Sequence, residues 1–332
     1  MPAKRPVAVL FVHGLARKPA PEKLRELWRW GLSRGNPMPS VFAPPNQGVD
    51  LATCGVPHEL NYYADVFYGT DYETDLSAYE ESNLNLEFQA EGLDRLEEDL
   101  PLPTPKTERE AAFLEGFEAK VAANFVTDTV VTAARPLPTA SEHEIARLIP
   151  SPVREAIIKK AAMEAYYFLF NKEYVRPGDG KRFDVRDELR RLFLEDLTHL
   201  HDKAEKIVII SHSMGTMIAY DVLRNCTECP FVDTLITLGS PLGIREVQQE
   251  LIARGNLQVD FPAGKLEHWI NIYDPLDPIC GADPRFANDY LSVGGKVVED
   301  IKESNWGKWR HTITHYLAGT QLRKQLSKAL GV

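Results

Sequence analysis

The sequence predicts an α/β protein: a mostly parallel central sheet flanked by helices, with an inserted helical cap. Three observations lead there. Short continuous apolar runs recur at residues 7–12, 206–210, 234–238 and 269–273, as expected of strands buried on both faces rather than one. Segments with helical period separate them, and strands alternating with helices imply parallel pairing through right-handed crossovers. Between about 75 and 180 the pattern changes to an acidic, helix-periodic block with no convincing strand.

Taken in order, the first run ends in His13-Gly14, and a helix follows from Pro21 to about Leu32. In the acidic block Phe113, Phe117, Val121 and Phe125 recur every four residues, which is one face of a helix. Ser141 with Glu144 forms a capping box, Ser151 before Pro152 gives an N-cap and a first-turn proline, and "RPGDGK" around Pro177 closes the block as a loop. Behind residue 213, Met214, Met217, Ile218 and Val222 again mark one helix face. A strand candidate over 293–301 and a terminal helix complete the pattern. The division is a core of residues 1–74 and 179–332 with a helical cap at 75–178; the alternative for the block is a separate interaction domain. Its aromatic stretch "AYYFLF" reads either as core packing or as Tyr166, Tyr167, Phe168 or Phe170 lining an acyl-binding groove.

Composition narrows the partners. A length of 332 residues exceeds the usual single compact domain, and 44% apolar with 26% charged content is ordinary for a globular chain. A formal charge of −10 repels phosphate backbones and anionic lipid, and no Lys/Arg cluster opposes it, so nucleic acid is not an expected partner. No apolar stretch approaches the roughly 20 residues that span a bilayer, and no cleavable leader is visible, so a cytoplasmic protein is expected. Four cysteines are too few for a disulfide framework. Cys226 and Cys229 form a C-x-x-C pair without the two further ligands that zinc needs, and Asp283 and Asp289 do not have EF-hand spacing, so no metal is expected.

The chemistry concentrates at "IVIISHSMGT", where an apolar run stops and a helix pattern starts at Ser213. A tight strand-to-helix turn pushes a serine hydroxyl clear of the sheet, provided that small residues two before and two after let the backbones close. Those positions are Ser211 and Gly215, so serine stands where glycine is usual. The Met214 N–H at the start of the helix is an expected oxyanion donor, and in "VHGL" Gly14 permits close approach so that the Leu15 N–H can supply a second. A serine needs a base, and the base needs a carboxylate to orient it. "WINIYDPLDPIC" offers Asp277, favoured for lying past the strand end, or Asp274. "WRHTITHYLAG" offers His311 at a loop-to-helix junction, or His315 inside the helix. His13, Gly14 and His212 are expected to line the substrate site, although a histidine at a strand end is often only a satisfied polar group.

"FVHGL", "SHSMGT", "TLGSPLGI", "NIYDPLDPI" and "HTITHYL", in this order, resemble the α/β-hydrolase superfamily, specifically its bacterial lipase and esterase branch with a shortened amino end. The resemblance covers about residues 5 to 70 and 184 to 330. It implies a parallel-sheet core, no organic cofactor, a triad of Ser213, Asp277 and His311, and oxyanion donors at Leu15 and Met214. The activity it implies is hydrolysis of a small-molecule or lipid-like carboxylic ester through an acyl-enzyme. The alternative is a catalytically silent relative that binds a protein through its helical insert.

Overall fold

Parallel pairing throughout one sheet puts every strand's C-terminal end on the same edge of the molecule, and that edge carries Ser213, Asp277 and His311. The computed structural model describes residues 5–39, 41–42, 44–74, 76, 104–133, 151–176, 178–253, 255–281, 283–306 and 310–332. The Ser141–Glu144 capping box and Pro177 lie outside these residues, as do the side chains of Phe125, Ser151 and Pro152. The central strands are β1 (Arg5–Val12), β2 (His58–Asn61), β5 (Ala204–His212), β6 (Val232–Leu238), β7 (Leu266–Tyr273) and β8 (Val298–Lys302). They form a six-stranded sheet in the order β2-β1-β5-β6-β7-β8, and each neighbouring pair is parallel. The register aligns Val12 with Ser211, Ser211 with Thr237, and Thr237 with Asn271.

Alternate residues of each strand serve opposite cores. Val9 and Phe11 with Val208 and Ile210 face α1 (Pro21–Ser33), α8 (Ile313–Ala318) and α9 (Thr320–Leu330). Leu10 and Val12 with Ile207 and Ile209 face α5 (Val185–Lys203), α6 (Met214–Asn225) and α7 (Arg245–Leu251). Apolar demand on both faces is why these strands read as unbroken apolar runs. Three more helices complete the set: α2 (Ala64–Tyr68), α3 (Glu108–Ala133) and α4 (Ser151–Leu169). The long pair α3 and α4 packs together, against α7, and α4 also against α5. Ala165, Tyr166, Phe168 and Leu169 are buried in the core, and Tyr167 and Phe170 pack against it half-buried. The aromatic stretch is therefore core packing.

Three details differ from expectation. The edge strand β2, "HELN", is polar and half-exposed, so it has no apolar run to announce it. The helical block is not free of strands: Glu173–Val175 forms β3 and pairs antiparallel with β4 (Arg182–Asp184). Three residues are too few for alternation to show, and the expected boundary at 178/179 falls in the turn of this hairpin. The strand expected over 293–301 is confined to β8, because Val293 and Lys296 pair across Gly294 and Gly295, both at positive φ, in a turn.

Among the described residues no helix is long and apolar enough to cross a membrane. Behind the helix that follows Ser213, Arg190 of α5 holds Asp221 of α6 through Nε and Nη2 at 2.6 and 2.8 Å. Asp221 is fully buried while the Arg190 side chain is 25% exposed, so losing the arginine strands a buried charge but losing the aspartate does not. Arg190→Leu is expected to cost about 3–5 kcal/mol and Asp221→Leu clearly less. Urea unfolding of the two variants checks that order.

Candidate active site

The helix after β1 lies on one face of the sheet and the helix after β5 on the other, although these strands are neighbours. Such a switch opens a crevice at the strand C-termini, where ligands of open α/β sheets bind. Residues 13–15 and Ser213 lie at that switch point, directly after β1 and β5. Ser213 stands between β5 and α6 at φ 53°, ψ −127°, a conformation that costs a residue with a Cβ about 1–3 kcal/mol and persists only where its surroundings fix it.

The surroundings do fix it. The Ser213 N–H donates to Leu238 O at 3.0 Å, and its carbonyl accepts from the Thr216 N–H at 3.0 Å and the Thr216 hydroxyl at 2.6 Å. Since Thr216 spends its proton on that carbonyl, the Ser240 hydroxyl 2.6 Å away donates to Thr216 and keeps a lone pair for the Leu242 N–H. The glycines answer to space. A Cβ at Gly215 would run into His13 O and lie 2.8 Å from Val12 O, and one at Gly14 would lie 2.9 Å from the Ser213 Cβ. Ser211 fits in place of glycine because its buried hydroxyl turns toward Ile236 O of β6, at 3.4 Å. Among the described residues, the Leu15 and Met214 amides find no hydrogen-bond acceptor, leaving two donors beside the serine.

His311 lies just before α8, and its Nδ1 is 2.8 Å and 3.0 Å from the two Asp277 carboxylate oxygens. Burial alone raises the Asp277 pKa, but the His311 charge, the His311 and Tyr316 hydrogen bonds and the Ile279 amide outweigh it and hold it below 3.8. An ionised carboxylate only accepts, so Nδ1 donates to it, and in the neutral form of the ring Nε2 keeps the basic lone pair. The Tyr316 hydroxyl donates to Asp277 Oδ2 at 2.7 Å. Asp274 serves the same loop differently: it accepts from the Leu276 amide at 2.9 Å, the Asn305 amide at 2.8 Å and Arg310 at 3.2 Å, so it braces the residue preceding His311.

The other histidines are also occupied. His315 is fully buried in α8, its ring tilted against Trp306 with the centroids 3.8 Å apart. His212 Nε2 donates to the His311 carbonyl at 2.8 Å, and the two rings lie 4.5 Å apart. Burial first, and then the neighbouring positive charges, keeps His212 neutral. His13 is pushed down to about 3, chiefly by burial. It accepts the Tyr63 N–H at Nε2 (3.1 Å), so its Nδ1 proton faces Gly14 O at 2.6 Å.

Ser213, His311 and Asp277 thus share one sheet edge. Gly239, next to the Leu238 that pairs with Ser213, would place a Cβ 2.8 Å from Asp277 Oδ2 and 3.1 Å from His311 Nδ1. The Ser213 hydroxyl itself is buried and makes no hydrogen bond with a described residue, so it is not joined to the imidazole in this conformation. Ser213 and His311 are each 1% exposed. The large cleft lined by Lys206, Asp233, His268, Lys296 and Lys328 lies at the opposite, N-terminal ends of the strands, away from Ser213 and His311. Cys226 and Cys229 are free thiols that burial pushes up to about 11 and about 12, and no group of three or more His, Cys, Asp or Glu is placed to hold a metal among the described residues. Sequence reasoning missed Thr216, Ser240 and Tyr316, whose roles depend on contacts between distant segments.

No family model matches the chain, and no curated protein matches it. Among solved structures, an uncharacterized protein from Pseudomonas aeruginosa is similar at a TM-score of 0.32 with 8% identity. That similarity covers 99% of this chain and 46% of the other, so the chain spans under half the length of that structure.

Gly215→Ala is expected to displace the turn and destabilise the protein by about 1–3 kcal/mol, measurable by thermal unfolding. Because Asp277's pKa is depressed in the folded protein, its stabilisation is present above 3.8 and is lost as pH falls through its lower folded value. The stability difference between wild type and Asp277→Asn is therefore expected to shrink as pH drops from about 6 to about 3, as urea titrations at each pH would read.

Proposed function

We propose that this chain is an α/β-hydrolase-type serine hydrolase that cleaves carboxylic esters. The observation that carries the reading is that an Asp277-bound imidazole and a serine held at φ 53° on a strand-to-helix turn lie at the same edge of one sheet. In the reaction Ser213 Oγ attacks the ester carbonyl while His311 Nε2 takes its proton. Negative charge develops on the carbonyl oxygen, where the Leu15 and Met214 amides supply donors. The imidazolium then protonates the departing alkoxide, leaving an acyl group on Ser213. Water attacks this acyl-enzyme with His311 as base, releasing the acid and restoring the serine. Asp277 remains ionised and orients the ring. The chemistry requires the Ser213 hydroxyl to turn toward Nε2 and the groups above it to part for the substrate.

The burial of that hydroxyl favours a second reading, a catalytically silent relative that binds a protein through its helical insert. A fluorophosphonate probe separates the two. Covalent labelling of the native chain that disappears in a folded Ser213→Ala variant is expected of the hydrolase; an unreactive native protein favours the binding module. For an aryl ester, His311→Ala is expected to lower kcat by several powers of ten, about as far as Ser213→Ala, since the triad acts as a unit. His315→Ala is expected to cost stability more than chemistry, and the reverse result would transfer the role of base to His315.

A further inference from the structure

We infer that Glu164, on a helix of the insert, is a positioning residue that holds the oxyanion loop in register with Ser213; this rests on the hydrolase reading above. The loop leaving β1 is strained next to the proposed donor, with Ala16 at φ 74°. A left-handed alanine costs about 1–3 kcal/mol unless its neighbours over-determine it. The decisive neighbour is 148 positions away: the Ala16 N–H donates to Glu164 Oε1 at 2.9 Å. Glu164 is 1% exposed, and the Tyr68 hydroxyl donates to the same oxygen at 2.6 Å, which aims the carboxyl group at the loop. On the other side of Leu15, His13 Nδ1 holds the Gly14 carbonyl, and the Tyr63 hydroxyl holds the His13 carbonyl at 2.7 Å.

These contacts act on successive peptide planes. In a trans peptide the N–H points opposite the carbonyl of the same plane, so fixing Gly14 O fixes the direction of the Leu15 N–H. Fixing the Ala16 N–H sets the next plane and leaves Leu15 no freedom to roll. The Leu15 amide, which has no described acceptor, is thus oriented by a histidine of the core and a carboxylate of the insert. Glu164 needs only an acceptor oxygen at the right reach, a requirement that glutamine meets and that leucine and the shorter aspartate do not.

Full-length Glu164→Leu, Glu164→Asp and Glu164→Gln would be compared with wild type for fluorophosphonate labelling rate, for kcat and KM on an aryl ester, and for thermal unfolding. Labelling and kcat are expected to fall about 10- to 100-fold in the leucine and aspartate variants, with KM within about threefold, and glutamine is expected to restore most of the rate. If the leucine variant does not fold, the aspartate variant decides. Folded aspartate or leucine variants that label and turn over at the wild-type rate would overturn the inference, and so would a loss confined to KM or one that glutamine fails to rescue. A native protein that does not label at all would instead defeat the hydrolase reading.

Discussion

The site depends on one close approach of backbone to backbone. The first turn of α6 presses against the end of β1, near enough that Gly215 can bear no side chain against the His13 and Val12 carbonyls. This contact goes with the positive φ of Ser213 and brings two elements, the β1 loop and the α6 N-terminus, into close approach around it. Parallel pairing supplies the rest, because β6 and β7 end on the same edge and hand over the loops that carry Gly239 and Asp277. Few alternatives satisfy so many backbone restraints at once, which is how such strain is maintained.

The paired acids and histidines share the work. Asp277 orients the imidazole directly, while Asp274 holds Asn305 and Arg310 and so fixes the loop that carries it. His212 ties β5 to the His311 carbonyl, and His13 ties β1 to the segment before α2. All are buried, and the tautomers of His13 and His212 follow from their backbone partners, each ring meeting one peptide group that can only donate or only accept.

Local physics explains which parts were legible in the sequence. Strands β1, β5, β6 and β7 bury both faces and leave apolar runs, and the small residues around Ser213 mark a turn that needs them. β2 is a polar edge and β3 is three residues long, so neither leaves a pattern. Choosing between Asp274 and Asp277, or between His311 and His315, needs the arrangement of loops three strands apart. Glu164 was illegible for another reason: an acidic residue in a helical pattern reads as part of a solvated face, and only the tertiary fold turns it inward onto Ala16.

The seclusion of Ser213, 1% exposed with its oxygen under packed groups, bears on how affinities for this protein are to be interpreted. A ligand that enters only an open minority form has its intrinsic dissociation constant divided by the population of that form. If one molecule in about a hundred is open, a compound of ideal fit is weakened a hundredfold, or about 2.7 kcal/mol. Feeble binding would then measure the work of uncovering the hydroxyl, with shape complementarity there left intact.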